Sequence, residues 1–76
     1  MKDFVESIVK RLIDHPDQLV IEEEDRDNSI IVRVTVNDAD VGKLIGKKGR
    51  TAQSLRVILS AVAARHGKRA ILEITE

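Results

Sequence analysis

No cysteine occurs in the 76-residue chain, and tryptophan and tyrosine are missing as well. Without thiols neither a disulfide framework nor a thiolate metal site can form, and the two histidines, His15 and His66, do not make a zinc centre unaided. Phe4 is the single aromatic residue, which removes the ring platforms on which many nucleic-acid-binding sheets stack bases. No run of about 20 apolar residues is present to span a bilayer. The opening Met1-Lys2-Asp3-Phe4 puts an acid where a secretory signal needs bases followed by an apolar stretch. These absences lead to the expectation of a cytoplasmic protein with no cofactor and no metal. Its length suits one domain, residues 1–76, near the lower size for a single core, because only about 60% of the unfolded surface is buried at this scale.

The formal charge is zero, from 13 Lys and Arg against 13 Asp and Glu, yet the two signs are segregated along the chain. Between Val41 and Leu72 stand Lys43, Lys47, Lys48, Arg50, Arg56, Arg65, Lys68 and Arg69 with no acid among them. The remainder holds every acid and only five bases. A basic run of this kind is expected to face a polyanion, with the acidic part limiting indiscriminate binding.

Apolar residues at Phe4, Val5, Ile8, Val9, Leu12 and Ile13 recur at helical spacing, so residues 2–14 are expected to form a helix with that stripe buried. Pro16 pushes His15 out of the helical region and makes it a loop residue. A catalytic role for Asp14-His15 finds no nucleophile or pocket nearby. Leu19 to Glu24 begins apolar and β-branched and turns acidic, as a strand emerging into water does. Its consecutive carboxylates lack the alternation, the glycine and the distal Glu of a calcium loop. After a polar turn from Asp25 to Ser29, Ile30, Val32, Val34 and Val36 alternate with Ile31, Arg33, Thr35 and Asn37, which makes the second strand of an antiparallel hairpin.

Asp38 and Asp40 are placed to cap a short helix from about Asp40 to Ile45, which Gly46 ends. Thr51 to His66 is the longest helix, with Ala52, Leu55, Ile58, Leu59, Val62 and Ala63 on one face and Gly67 as its stop. Ala70 to Thr75 reads as the last strand, parallel to the Ile30–Asn37 strand because a helical crossover separates them. The expected architecture is an α+β two-layer domain in the order α-β-β-α-α-β, with a three-stranded mixed sheet covered by helices on one face.

Between the short and the long helix lies Gly46-Lys47-Lys48-Gly49, followed by Arg50. Two glycines offer bare main chain against which a nucleic-acid backbone can lie, the lysines supply charge, and a helix starting near Arg50 adds N–H donors and the positive end of its dipole. The spacing Gly42-x-x-x-Gly46-Lys47 is one residue short of a nucleotide phosphate loop, and Lys48 stands where that motif needs Ser or Thr for magnesium. No catalytic constellation is present, so the chain is not read as an enzyme.

The element order and the segment Val41-Gly42-Lys43-Leu44-Ile45-Gly46-Lys47-Lys48-Gly49 together resemble the type II (prokaryotic) K-homology (KH) domain, with its G-x-x-G loop between two helices. With Arg50-Thr51-Ala52-Gln53-Ser54-Leu55 following, nearly the whole chain is similar to the small stand-alone bacterial KH proteins of the KhpA-like group. The resemblance implies single-stranded RNA binding, of the RNA chaperone or post-transcriptional regulator type, with about four nucleotides held between loop and groove. Carried over by position, Gly46, Lys47, Lys48 and Gly49 hold the sugar-phosphate side, while Gly42 leaves room for a base and Ile45 offers an aliphatic surface. Lys43, Arg50, Gln53 and Arg56 are candidate contacts to phosphates or base edges. The resemblance also implies pairing with a second copy or with a larger KH-containing partner of the Jag type (KhpB-like), for which Ser60, Ala61 and Ala64 would permit close helix approach. An adaptor acting mainly through such protein contacts is the alternative reading.

Overall fold

The computed structural model describes residues 1–76. Its regular elements are α1 (Lys2–Val9), β1 (Val20–Asp25), β2 (Ser29–Thr35), α2 (Asp38–Ile45), α3 (Arg50–Ala64) and β3 (Arg69–Thr75), with single 3-10 turns at Pro16–Gln18 and Lys47–Gly49. The strands run in the order β1-β2-β3, with β1 antiparallel and β3 parallel to β2. The hairpin register sets Ile21 opposite Val34 and Asp25 opposite Ile30, and the crossover sets Ile30 beside Ala70 and Val32 beside Leu72. This is the mixed sheet that the alternation of β2 and the helical return to β3 lead one to expect.

One core joins the layers. Val5 and Val9 of α1, Leu44 of α2 and Leu55, Leu59 and Ala63 of α3 bury against Ile21, Ile30, Val32, Val34, Val36 and Leu72 of the sheet side. The far face of the sheet is carried by ions. Arg33 donates to Oε1 of Glu24 at 3.2 Å on one neighbouring strand and lies 3.3 Å from Oε1 of Glu73 on the other; Ile31, on the same face of β2, is buried. The hydrogen bond from Arg26, with Arg33 behind it, holds the Glu24 carboxyl below the usual carboxylate range. A depressed carboxyl favours the fold above its unfolded pKa and ceases to do so as pH falls through its folded value, though these exposed groups contribute little.

Several expectations change. The first helix ends at Val9, not Asp14: Arg11 and Leu12 bond back only three residues, to Ile8 at 3.2 Å and Val9 at 2.9 Å, and the chain turns away. Phe4 is therefore not on a buried stripe but 43% exposed, and Leu12 is exposed too, because an eight-residue helix presents only Val5 and Val9 fully to the sheet. On α3, Ile58 is exposed for a related reason: a small three-stranded sheet covers only the narrow arc of Ala52, Leu55, Leu59 and Ala63. The cap of α2 is Asn37, whose side chain accepts from the Ala39 amide at 2.9 Å, and the helix starts at Asp38. Asp40, expected as a cap, is fully buried inside the first turn. No helix is long and apolar enough to cross a membrane.

Leu59 is wholly buried and Val57, two residues away on the same helix, is the most exposed large apolar residue. Leu59→Ala should cost about 2–5 kcal/mol in urea unfolding, and Val57→Ala less than about 0.5 kcal/mol.

Candidate nucleic-acid interface

The loop between α2 and α3 is built by backbone geometry that only certain residues tolerate. Gly46 has φ 79° and ψ 171°, a region open essentially to glycine alone, and its amide makes the last bond of α2 to the Gly42 carbonyl at 2.9 Å. Lys48 at φ 57° and Gly49 at φ 74° follow in the left-handed region, and the Gly49 amide closes the turn on the Gly46 carbonyl at 3.0 Å. A Cβ at Gly46 would sit 2.3 Å from Oγ1 of Thr51 and 2.9 Å from its backbone nitrogen. The first turn of α3 is thus pressed on the end of α2 where there is no room for a side chain. At Gly49 a Cβ would meet nothing within 4 Å, so that glycine is required by conformation and not by space.

Of the candidate residues, Lys47, Lys48, Arg50, Gln53 and Arg56 are exposed, and none of these four cations lies within 4 Å of a carboxylate. They lie in the turn and along the first two turns of α3, whose start has no side-chain cap and whose Arg50 amide bonds the Lys47 carbonyl. Gly42 and Ile45 share one side of α2, three residues apart; Ile45 is 41% exposed and outside the core, and the space where a Cβ of Gly42 would point is open. Lys43 differs from the rest. It lies on another side of α2, where its ammonium bonds the Asp14 carboxylate and stands 3.8 Å from Oδ1 of Asp40.

Two features were missed in reading the residues alone. Asp40 accepts from the amides of Asp14 at 3.1 Å and His15 at 2.9 Å, and its Oδ2 lies 3.1 Å from His15 Nδ1. This buried carboxylate fastens the connection after α1 to the helix that leads into the loop, so His15 is a structural partner and not merely a loop residue. Nothing local signals it, since the bond spans 25 residues or more. Thr51 is the other: a small polar residue two positions after the second glycine gives no hint that its side chain packs on Gly46.

A left-handed glycine turn between two helices, ringed by unpaired cations and set against a mixed three-stranded sheet, is the arrangement of a KH domain. The family model described as "KhpA/KhpB, KH domain" matches residues 2–74. The chain belongs to this family. Its fold is the type II KH order, α-β-β-α-α-β. Among curated relatives, the RNA-binding protein KhpA of Aquifex aeolicus is 41% identical over all of this chain and 96% of its own length. The RNA-binding protein KhpA of Listeria monocytogenes is 41% identical over the full length of both, and that of Chlamydia caviae is 43% identical over all of this chain and 97% of its own. KH proteins of this kind are a non-enzymatic family.

The two loop glycines should respond differently to a methyl group. Gly46→Ala, strained in backbone and blocked by Thr51, should lower stability by more than about 3 kcal/mol or prevent folding. Gly49→Ala should cost about 1–2 kcal/mol. Chemical denaturation of the two variants side by side checks this ordering.

Proposed function

We propose that the protein binds single-stranded RNA, holding about four nucleotides with the Gly46-Lys47-Lys48-Gly49 turn and the groove beside it. The observation that carries this reading is the set of unpaired cations, Lys47, Lys48, Arg50 and Arg56, around a left-handed glycine turn at an uncapped helix start. The names of its KhpA relatives support it. In this reading the phosphates lie along Gly46 to Gly49 and the first turn of α3. A base rests on Ile45 in the space left beside Gly42, and Gln53 and Arg56 reach the next nucleotide. Lys43 joins only by leaving Asp14, so it is a secondary contact. With no aromatic ring in the turn, α2 or α3 on which a base could stack, phosphate contacts dominate the affinity, as suits an RNA chaperone or post-transcriptional regulator in the cytoplasm.

A second reading, pairing through α3 with another copy or with a larger KH protein of the KhpB type, is favoured by one observation: Val57 is 59% exposed and Ile58 is exposed beside it on a helix with small neighbours, Ala61 and Ala64. The two readings are compatible, because the stripe lies along the helix and the RNA turn at its start.

Replacing Lys47 and Lys48 together with Asp should abolish RNA binding with the circular dichroism spectrum and melting temperature near wild type, since Asp tolerates the left-handed backbone of position 48. The dependence of log affinity on log salt should weaken by about 1.4 if only one lysine is replaced by Ala at a time and the two losses are summed, at about 0.7 per phosphate contact. Unchanged affinity for a single-stranded RNA would sink the clamp. Gly42→Ala should stabilise α2 by about 0.5–1 kcal/mol while weakening RNA binding, a split that a purely structural glycine would not produce.

A further inference from the structure

The start of α2 presents a charge opposite to that of the turn at its end. Asp38 is exposed, and its carboxylate has neither an ion-pair nor a side-chain hydrogen-bond partner. The ammonium nearest to it in sequence, that of Lys43, is held on another side of the helix by Asp14. Asp38, Gly42 and Ile45 recur at spacings of four and three and so lie on one face of α2, with Val41, partly buried against the core, on its flank. Along that face Asp38 stands about 12 Å from Gly46 at 1.5 Å per residue. Between them the space at Gly42 is open, with nothing within 4 Å of where a Cβ would stand.

We propose that Asp38 reads the base held on this face and selects guanine; the inference rests on the RNA reading above. The phosphate sits at the Gly46–Gly49 turn, the base lies on Ile45 in the space beside Gly42, and the far edge of the base meets the carboxylate, a span that suits one nucleotide. A carboxylate only accepts hydrogen bonds. Of the four bases, guanine alone sets two donors side by side on its Watson–Crick edge, N1–H and the N2 amine, and these match the two oxygens of Asp38 in a bidentate, charge-assisted pair. Adenine and cytosine offer one amine beside a ring nitrogen that accepts, and uracil offers one imino group between two carbonyls. Each of these three therefore turns at least one acceptor toward an anion.

Charge assigns the two ends of this face to the two ends of a nucleotide. Lys47 and Lys48 lie within 4 Å of no carboxylate and Asp38 within 4 Å of no cation, so a phosphate is attracted at the turn and repelled at the helix start. An acid that served only the dipole of α2, as acids in a first helical turn do, would act alike on every RNA. A base reader acts on the difference between RNAs: removing it leaves the donors of guanine unpaired and costs affinity for that base above the others. Asp38 is also outside the core, so its replacement leaves the packing of the domain in place.

The test measures binding of uridine hexamers that carry one central guanosine, inosine, adenosine or cytidine, beside the all-uridine hexamer, by the unaltered protein and by Asp38→Asn and Asp38→Ala. The unaltered protein should bind the guanosine hexamer at least about fivefold tighter than the all-uridine one, with inosine, which lacks the N2 amine, in between. In both variants the preference for guanosine should fall below about twofold, with melting temperatures near that of the unaltered protein. A guanosine preference that survives in the variants, a flat profile in the unaltered protein, or a change on substitution that is equal for every hexamer overturns the proposal. Full binding of the hexamers by the Lys47→Asp, Lys48→Asp protein would instead overturn the clamp reading itself.

Discussion

The meeting of Gly46 with Thr51 is the contact on which the junction of α2 and α3 depends. Because no Cβ fits between them, the end of α2 and the first turn of α3 approach to a distance that no other residue at position 46 would allow. That approach sets where α3 begins, and hence which of its residues reach the sheet: Ala52, Leu55, Leu59 and Ala63 fall on the core side and Arg50, Gln53 and Arg56 outside it. The turn between the helices is left with a left-handed course through Lys48 and Gly49, its lysines outward and its main chain bare. The packing of the two helices and the course of the turn between them are thus decided by one small volume.

Asp40 supplies the complementary restraint from the other side of α2. A fully buried carboxylate is tolerated only when its oxygens are well satisfied, and here two backbone amides and a histidine ring nitrogen meet it. These bonds tie the segment after α1 to the first turn of α2, so the helix carrying Gly42, Ile45 and the loop is held at both ends: by Asp40 at its start and by the Gly46 contact at its finish. The same restraint explains why α1 is short, since the chain must turn after Val9 to bring Asp14 and His15 to the carboxylate.

The charges of the sheet are paired and those beside the glycine turn are not. Acids and bases of the sheet neutralise each other in the Glu24–Arg33–Glu73 ladder, and Lys68 is paired with Asp25. The cations at the start of α3 have no such partners. A molecule of zero formal charge therefore keeps four unpaired cations, Lys47, Lys48, Arg50 and Arg56, in the turn and at the start of α3.

The residues themselves determined most of the architecture. Alternation at Ile30 to Val36, the helical spacing from Ala52 to Ala63 and the turn signals around them carry element type, order and the mixed sheet, because these depend on local periodicity and on the handedness of the crossover. The G-x-x-G turn was legible for the same reason: glycines between two helices mark a conformation that can be read from spelling. Tertiary structure alone decided which side chains the sheet has room to cover, so Phe4, Leu12 and Ile58 kept their helical spacing and lost their burial. It alone paired Lys43 with Asp14 and left Lys47 and Lys48 unpaired, and it alone turned Asp40 from a cap into a buried anchor. Periodicity reports which face of an element is apolar; what that face meets, and which charges find partners, depends on residues distant in the chain that only folding brings together.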